Sequence, residues 1–307
     1  MAAEVLADID AWFELNIYAP LREASDPARA IAAMIAGVDR YFHSGDRVCL
    51  VGLVALGSAR DTFAEAVDGY FARWQAALEA QARSLLFQSN AVPLDVRARA
   101  AMRLAHFAGL GLDTVFFVNT GAEANENALK LALRITGRRK VVAVEGGFHG
   151  RTAAAAAVSW RSERWYGFPA KPFDVEFVPR GDFGMLEQAI DETTAALILE
   201  PVQGLAGAYP LGRDYLDAAR EATARAGALL IFDEVQCGLG RCGAPFVARL
   251  HGVTPDILTV GKGLAGGLPA AALLVRPEAL PALAAGDLGT TFGGGPLVCA
   301  AIAATLG

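Results

Sequence analysis

The sequence predicts an α/β protein: a mostly parallel, seven-stranded sheet with helices on both faces, preceded by an all-helical segment. Three observations carry this. Short apolar runs rich in β-forming residues recur seven times after residue 86, at VFFV (115–118), KVVAVE (140–145), DVEFV (174–178), AALILE (195–200), ALLIFD (228–233), DILTV (256–260) and AALLV (271–275). Most are separated by stretches of helical period, such as 122–136, 182–191 and 212–226, and strands apolar on both faces that alternate with helices form parallel sheets covered on both sides. Finally, 54% of the 307 residues are hydrophobic and 20% charged, enough for a large core and too apolar for disorder.

Before the strands begin, the pattern is helical. Leu6, Ile9, Trp12 and Phe13 are followed by Ile31, Met34, Ile35, Val38 and Phe42 at helical spacing, with Asp26-Pro27 as an N-cap and first-turn proline. A third helix is predicted from Asp61 to about Leu85, carrying Phe63, Val67, Tyr70, Phe71, Trp74 and Leu78 on one face. Such a stripe serves as core or dimer interface, or lines a ligand pocket. Composition changes near the same place: residues 1–86 hold 7 arginines, no lysine and 12 acids, while the remainder holds 20 basic and 21 acidic residues. The division is therefore set at 1–86 and 87–307, in line with about two domains for this length.

Several classes of function are disfavoured at once. The formal net charge of −6 provides no basic surplus for a phosphate backbone, so nucleic acid is not an expected partner. The longest apolar stretch, VCLVGLVALG (48–57), is well short of the ~20 residues that a membrane helix needs. Acids among the first ten residues argue against a secretory signal, and a cytoplasmic location is expected. Cys49, Cys237, Cys242 and Cys299 are not in C-x-x-C spacing, which fits reduced thiols better than a disulfide frame or a metal site; no metal is expected.

The chemistry gathers at strand ends. Lysine occurs only at Lys130, Lys140, Lys171 and Lys262, and Lys262 follows DILTV in GKGLAGG, where glycines leave the amine unshielded. In ALLIFDEVQCGLGRCG (228–243), Asp233 and Glu234 end a buried strand, where a carboxylate is costly unless paired, so at least one should have a cationic partner. The same run contains a literal G-x-G-x-x-G at Gly238, Gly240 and Gly243. Two acids stand between the strand and the first glycine, and Ala244-Pro245 follows where a helix should continue, so the context is wrong for a dinucleotide loop. FFVNTGAEANENALK (116–130) reads as strand, loop and helix, with Thr120 and Gly121 at the helix entry. An uncapped N-terminus there would seat a phosphate; a plain Thr-Gly turn is the alternative.

Taken together, FVNTGAEANENALKLA, EGGFHGRT (145–152), LEPVQG (199–204), LLIFDEVQCGLGR (229–241), TPDILTVGKGLAGGLPAA (254–271) and GTTFGGGPLVCAA (289–301) resemble, in order and spacing, the class III aminotransferases of the acetylornithine, ornithine and 4-aminobutyrate group. The resemblance covers about 87–307 and implies the fold-type I architecture, pyridoxal phosphate as cofactor, and transfer of an amino group from an amino acid or ω-amine to an oxo acid, 2-oxoglutarate being the expected acceptor. It implies that Lys262 links covalently to the cofactor and moves the proton, and that Asp233 pairs with the cofactor's ring nitrogen. It places Val235 and Phe148 on the two faces of the ring, Gln236 near the phenolic oxygen, Glu200 beside the cofactor orienting Gln236 or substrate, and Thr120, Gly121 and Ala122 at the phosphate. Thr291 would reach the phosphate from a neighbouring subunit, implying a homodimer. Arg151 would clamp a substrate carboxylate, and His149 would stand behind the reacting groups.

Departures accompany the resemblance. Leu205 occupies the position of a second glutamate that acts as a switch in the family, so donor preferences do not transfer; Cys237 and Cys242 stand where threonine is usual, and Gly295 where asparagine is. The family's N-terminal segment and small C-terminal domain have no counterpart before Gly307, so the expectation is a chain that holds the cofactor and turns over poorly. Residues 1–84 resemble instead the effector-binding, dimerising domain of TetR-type regulators, through AWFELNIYAPLR (11–22), YFHSGDRVCLVGLVALG (41–57) and YFARWQAALEA (70–80). The alternative reading that follows is a small-molecule-binding, regulator-like module with a vestigial aminotransferase domain. A decarboxylase, racemase or aminomutase reaction is a further possibility within the fold.

Overall fold

The computed structural model describes the backbone of residues 60–278, 284 and 286–307, with side chains from residue 69. The helices predicted before residue 60, and most of the TetR-like segment, lie outside the described residues. The chain divides into two compact units, Met1–Phe71 and Ala72–Gly307. Composition marks where the strands begin, but packing begins with Trp74 and Leu78, which lie against the core of the second unit.

These two side chains belong to helix α1 (Arg60–Ser84), within a residue of its predicted ends. Trp74 Nε1 donates to the carbonyl of Ala265, 3.2 Å away, while Phe71 on the same predicted face is 43% exposed. Helix α2 (Asp95–Ala108), which sequence periodicity did not single out, follows. Next come β1 (Thr114–Val118), α3 (Gly121–Thr136), β2 (Lys140–Val144), the short α4 (Ala153–Ala157), β3 (Asp174–Val178), α5 (Phe183–Ala189) and β4 (Thr194–Leu199). A two-residue pair, β5 (Val202–Gln203) with β6 (Tyr209–Pro210), precedes α6 (Arg213–Ala226), β7 (Leu229–Asp233), α7 (Val247–His251) and β8 (Ile257–Val260). A 3₁₀ turn at Lys262–Ala265, then β9 (Ala271–Val275) and α8 (Pro296–Thr305), complete the order.

All seven predicted strands form one sheet in the order β1-β9-β8-β7-β4-β2-β3. The pairs β2–β3, β2–β4, β4–β7 and β7–β8 are parallel, and β9 alone runs against its neighbours β8 and β1. Alternation along the strands divides the core in two. Val142, Val144, Leu197, Leu199, Leu230 and Phe232 point to the face covered by α2, α6 and α8, while Val141, Ala143, Ala196, Ile198 and Ile231 point to the face covered by α3 and α4. This three-layer arrangement is the mostly parallel α/β architecture of fold type I.

The β1 edge is locked by close backbone packing. A Cβ at Gly293 would lie 2.5 Å from the Phe117 carbonyl oxygen and 2.6 Å from Val118 Cα, neither of which can move aside. Gly293→Ala should therefore cost about 2–3 kcal/mol, read as a lowered Tm in thermal unfolding. Among the described residues, no helix is long and apolar enough to cross a membrane.

Candidate active site

Strands β1, β2, β4, β7 and β8 share one direction, so the loops after them all open on one edge of the sheet, where α/β folds place their ligands. Each segment singled out in the sequence lies there.

Asp233, the last residue of β7, is 3% exposed, and its carboxylate is held from three directions. Oδ2 accepts from Asn125 Nδ2 at 2.7 Å and lies 2.8 Å from His149 Nδ1, while Oδ1 accepts from the amide of Val235 at 3.0 Å. With the carboxylate as acceptor, the His149 proton sits on Nδ1. Nε2, also buried, has no partner among the described residues. Asn125 in turn accepts from the hydroxyl of Thr259 on β8 at 2.8 Å and donates to the carbonyl of His149 at 2.7 Å. The expected cationic partner is thus not a lysine or arginine. Within the described residues Asp233 meets an amide, a histidine and a backbone N–H.

Glu234, fully buried, is satisfied differently. It accepts from the amides of Val247 and Ala248 at 2.7 and 2.8 Å, tying the start of α7 back to the end of β7. Burial outweighs those two bonds and pushes its carboxyl up from 4.5 to about 7. Because the folded chain holds this proton more tightly than the unfolded one, the carboxyl's contribution to stability is complete below 4.5 and is lost as pH rises through about 7. Glu234→Gln should give a flatter decline of Tm between about pH 5 and about pH 8 than the wild-type chain, measured by thermal melts across that range.

Lys262 opens the 3₁₀ turn after β8 with φ at 48°, a left-handed conformation unusual for a lysine. The side chain is exposed, and Nζ donates to Gln236 Oε1 at 3.0 Å. Gln236 lies flat against Gly204, where a Cβ would come within 2.2 Å of its Cδ, so only glycine admits the glutamine in this place. Glu200, buried at the end of β4, accepts from the amide of Gly204 at 3.1 Å and from that of Phe148 at 2.8 Å. It therefore reaches Gln236 through Gly204 and not directly. Burial, and then the neighbouring Asp233 charge, raise its carboxyl above the ordinary value, with His149 opposing.

Helix α3 enters the site at its N-terminus. Thr120 caps it: its Oγ1 accepts from the amide of Glu123 at 3.2 Å, and Glu123 bonds back to Asn119. This uses one of the helix's free donors; the amides of Gly121 and Ala122 have no acceptor within the helix. Gly121 is pressed on Val235, since a Cβ would meet Val235 Cγ1 at 2.7 Å, and Gly150 is pressed on Ala122 in the same way. Phe148 and Arg151 follow β2, Arg151 lying over the Trp165 ring at 5.0 Å. Thr291 is exposed, and no hydrogen bond among the described residues joins it to the other site residues.

Sequence reasoning did not single out Asn125 or Thr259. Asn125 could have been found: it falls on the apolar face of α3 with Ala124, Ala128, Leu129 and Ala132, where an unpaired amide would be costly. Cys237 and Cys299 are buried and Cys242 half-buried, all three as free thiols. The glycines of the G-x-G-x-x-G run lie between β7 and α7 and open no strand-to-helix phosphate loop.

The aminotransferase class-III family model matches residues 69–307. Among characterised relatives, the acetylornithine aminotransferase of Methanopyrus kandleri is 45% identical over 232 residues, covering 75% of this chain and 59% of that protein. The acetylornithine aminotransferase of Mycobacterium tuberculosis is 48% identical over 192 residues, 62% of this chain and 48% of that protein. The chain thus spans about half the length of the relatives it matches. Of solved structures, the ornithine aminotransferase of Toxoplasma gondii aligns with a TM-score of 0.71 at 36% identity, over 76% of this chain and 57% of that one. A PLP-bound amine transaminase from an uncultivated Pseudomonas species aligns with a TM-score of 0.70 at 28% identity, over 76% of this chain and 62% of that one. With its family match, its sheet order and its strand-end residues in agreement, the chain belongs to the class-III aminotransferases.

Proposed function

We propose that the chain is a pyridoxal-phosphate-dependent aminotransferase that moves an amino group from an amino acid or ω-amine to an oxo acid, 2-oxoglutarate being the favoured acceptor. One observation carries the reading: a solvent-reachable lysine amine and a buried, hydrogen-bonded carboxylate stand at the carboxyl ends of adjacent parallel strands, on the edge where α3 presents free amides. The donor set fits the cofactor. Asp233 offers a buried acceptor to a protonated ring nitrogen, Val235 and Phe148 offer apolar faces, and the amides of Gly121 and Ala122 with the Thr120 hydroxyl offer donors to a phosphate. When bound, pyridoxal phosphate supplies an aldehyde for amines and an electron-withdrawing ring.

The chain's own residues do the rest. Lys262 provides the amine that anchors the cofactor and then carries the proton, and Gln236 holds that amine in place. Asp233 keeps the ring nitrogen protonated, with His149 and Asn125 fixing its carboxylate. Glu200 fastens the Phe148 and Gly204 segments together through their amides, and Arg151 receives a substrate carboxylate. Purified with added pyridoxal phosphate, the protein should show visible absorption that borohydride abolishes, leaving a pyridoxyl group on Lys262. A soluble, colourless chain with no adduct would refute the reading.

The proposed assembly is a cytoplasmic homodimer in which Thr291 serves the neighbouring subunit's phosphate site. In support, Thr291 is exposed beside an apolar patch in which Phe87 and Phe292, 50% and 64% exposed, meet edge to face with their centroids 5.8 Å apart. Phe292→Asp should convert a sedimenting dimer to monomer, and a wild-type monomer would count against the assembly. The comparisons lend no support to the regulator-like alternative.

A further inference from the structure

We propose that Trp74 is a positioning residue for the Lys262 amine: by donating its indole N–H to the Ala265 carbonyl, it holds the turn after β8 in the form that keeps the amine on Gln236. The inference rests on the aminotransferase reading for its consequence and adds to it a side chain of α1, an element outside the strand-end loops.

Lys262 enters the turn with φ at 48°, a left-handed conformation that costs a residue with a side chain free energy and persists only where the surroundings impose it. Upstream the constraint is firm. Gly261 follows β8 directly and is wedged, since a Cβ there would lie 3.3 Å from Ala271 Cβ and 3.4 Å from Val235 Cγ1. Downstream it is weak. Gly266 and Gly267, with φ at 63° and 120°, follow the turn, and a Cβ on Gly267 would meet nothing within 4 Å. The segment's own bonds are short in range: the amides of Leu264, Gly266 and Leu268 donate to the carbonyls of Gly261, Gly263 and Ala265 at 3.1, 3.1 and 3.3 Å.

Trp74 supplies the fixed point that this segment lacks. Among the described residues, its bond to the Ala265 carbonyl, at 3.2 Å, is the one hydrogen bond from outside 261–268 that reaches the backbone of the turn. The indole is itself anchored, because Trp74 and Leu78, one helical turn apart on α1, lie against the buried core that also takes Leu264 and Ala265. Without the indole N–H, the Ala265 carbonyl keeps only the longer bond from Leu268, and the strained residue is where the turn relaxes. A return of Lys262 to negative φ redirects its Cβ and carries Nζ away from Gln236 Oε1, 3.0 Å from it in the structure.

The first arm of the test uses the full chain without cofactor. It holds four lysines, and Lys171, exposed on another segment, serves as internal reference for brief acetylation by acetic anhydride, read by peptide mass spectrometry. An amine held at Gln236 reacts more slowly than a released one, so Trp74→Phe should raise the labelling of Lys262 relative to Lys171 by about fivefold. Gln236→Met should give the same rise, and the double variant no more, because both substitutions release one bond. Leu78→Ala, which removes packing from α1 but no hydrogen bond to the turn, should lower Tm and leave the labelling ratio unchanged. The second arm adds cofactor: Trp74→Phe should weaken pyridoxal phosphate, which can link to Lys262, about fivefold, and should leave pyridoxamine phosphate, which cannot, within about twofold. Should Trp74→Phe fail to fold, Trp74→Met, flexible enough to fill the gap without an N–H, takes its place with the same expectations. An unchanged labelling ratio, an equal rise in Leu78→Ala, an additive rise in the double variant, or equal weakening of both cofactor forms would overturn the proposal. A wild-type chain that takes up neither cofactor form refutes the aminotransferase reading, while the labelling ratio still decides what Trp74 does.

Discussion

Replacing Asp233 with alanine should lower stability more than any other single change at the site. The carboxylate satisfies Asn125 Nδ2, the His149 ring and the Val235 amide at once, all of them inside the protein. Removing it strands these donors where water cannot replace the bonds, at a cost of about 3–5 kcal/mol. For a unit of this size, that is a fall in Tm of roughly 10 °C, measurable by calorimetry without cofactor. Asp233→Asn separates the two roles. Asparagine keeps the volume but has an acceptor on one side only, so it can serve the Val235 amide or the Asn125 and His149 side and part of the stability should remain. It carries no negative charge to hold a proton on the ring nitrogen, and amino transfer should fall by about a thousandfold. A fully active Asp233→Asn chain would remove Asp233 from its proposed role.

Lys262→Ala should abolish the borohydride-stable adduct and lower amino transfer by about four orders of magnitude, since no other side chain in the site can supply a linking amine. The fold should be nearly indifferent. The side chain is exposed, and its one recorded bond, to Gln236, is a surface bond worth about 1 kcal/mol. Lys262→Gly goes further. At φ 48° a lysine pays for a left-handed backbone that glycine adopts freely, so the glycine variant should melt at or above the wild-type temperature while being inactive. A large drop in Tm for Lys262→Gly would mean that the turn is not strained and that the lysine has a structural duty.

Much of this was legible in the chain itself. Seven strands could be read because most are short runs apolar on both faces, a signature of burial from two sides; the edge strand β3, with Asp174 and Glu176 exposed, alternates instead. Gly121, Val235, Gln236 and Lys262 could be placed because turn residues follow those runs directly. What periodicity could not show was direction: AALLV looks like every other strand, and only the short connection between the Lys262–Ala265 turn and β9 allows it to run backwards. The β5–β6 pair is two residues long on each side and has no period to read. The protein groups that hold Asp233 were hidden for another reason. The sequence indicates that a buried acid must be compensated, but Asn125, His149 and Thr259 arrive from α3, the loop after β2 and strand β8, and only tertiary packing brings them together. The entry to α3 stayed open in the sequence because Thr120 can cap a helix or leave it open, and residue type alone does not decide which.

The position of β1 also bears on how the protein is made. It is the first strand of the sheet to leave the ribosome, yet its only neighbour is β9, the last. Five strands, β2, β3, β4, β7 and β8, can pair in parallel as they emerge, whereas Thr114–Val118 must wait with its hydrogen-bonding edge open until Ala271–Val275 has cleared the exit tunnel. During that interval VFFV is a ready template for another nascent chain. Slow translation or a weak β9 should therefore appear first as aggregation during synthesis, before any loss of stability in the finished fold.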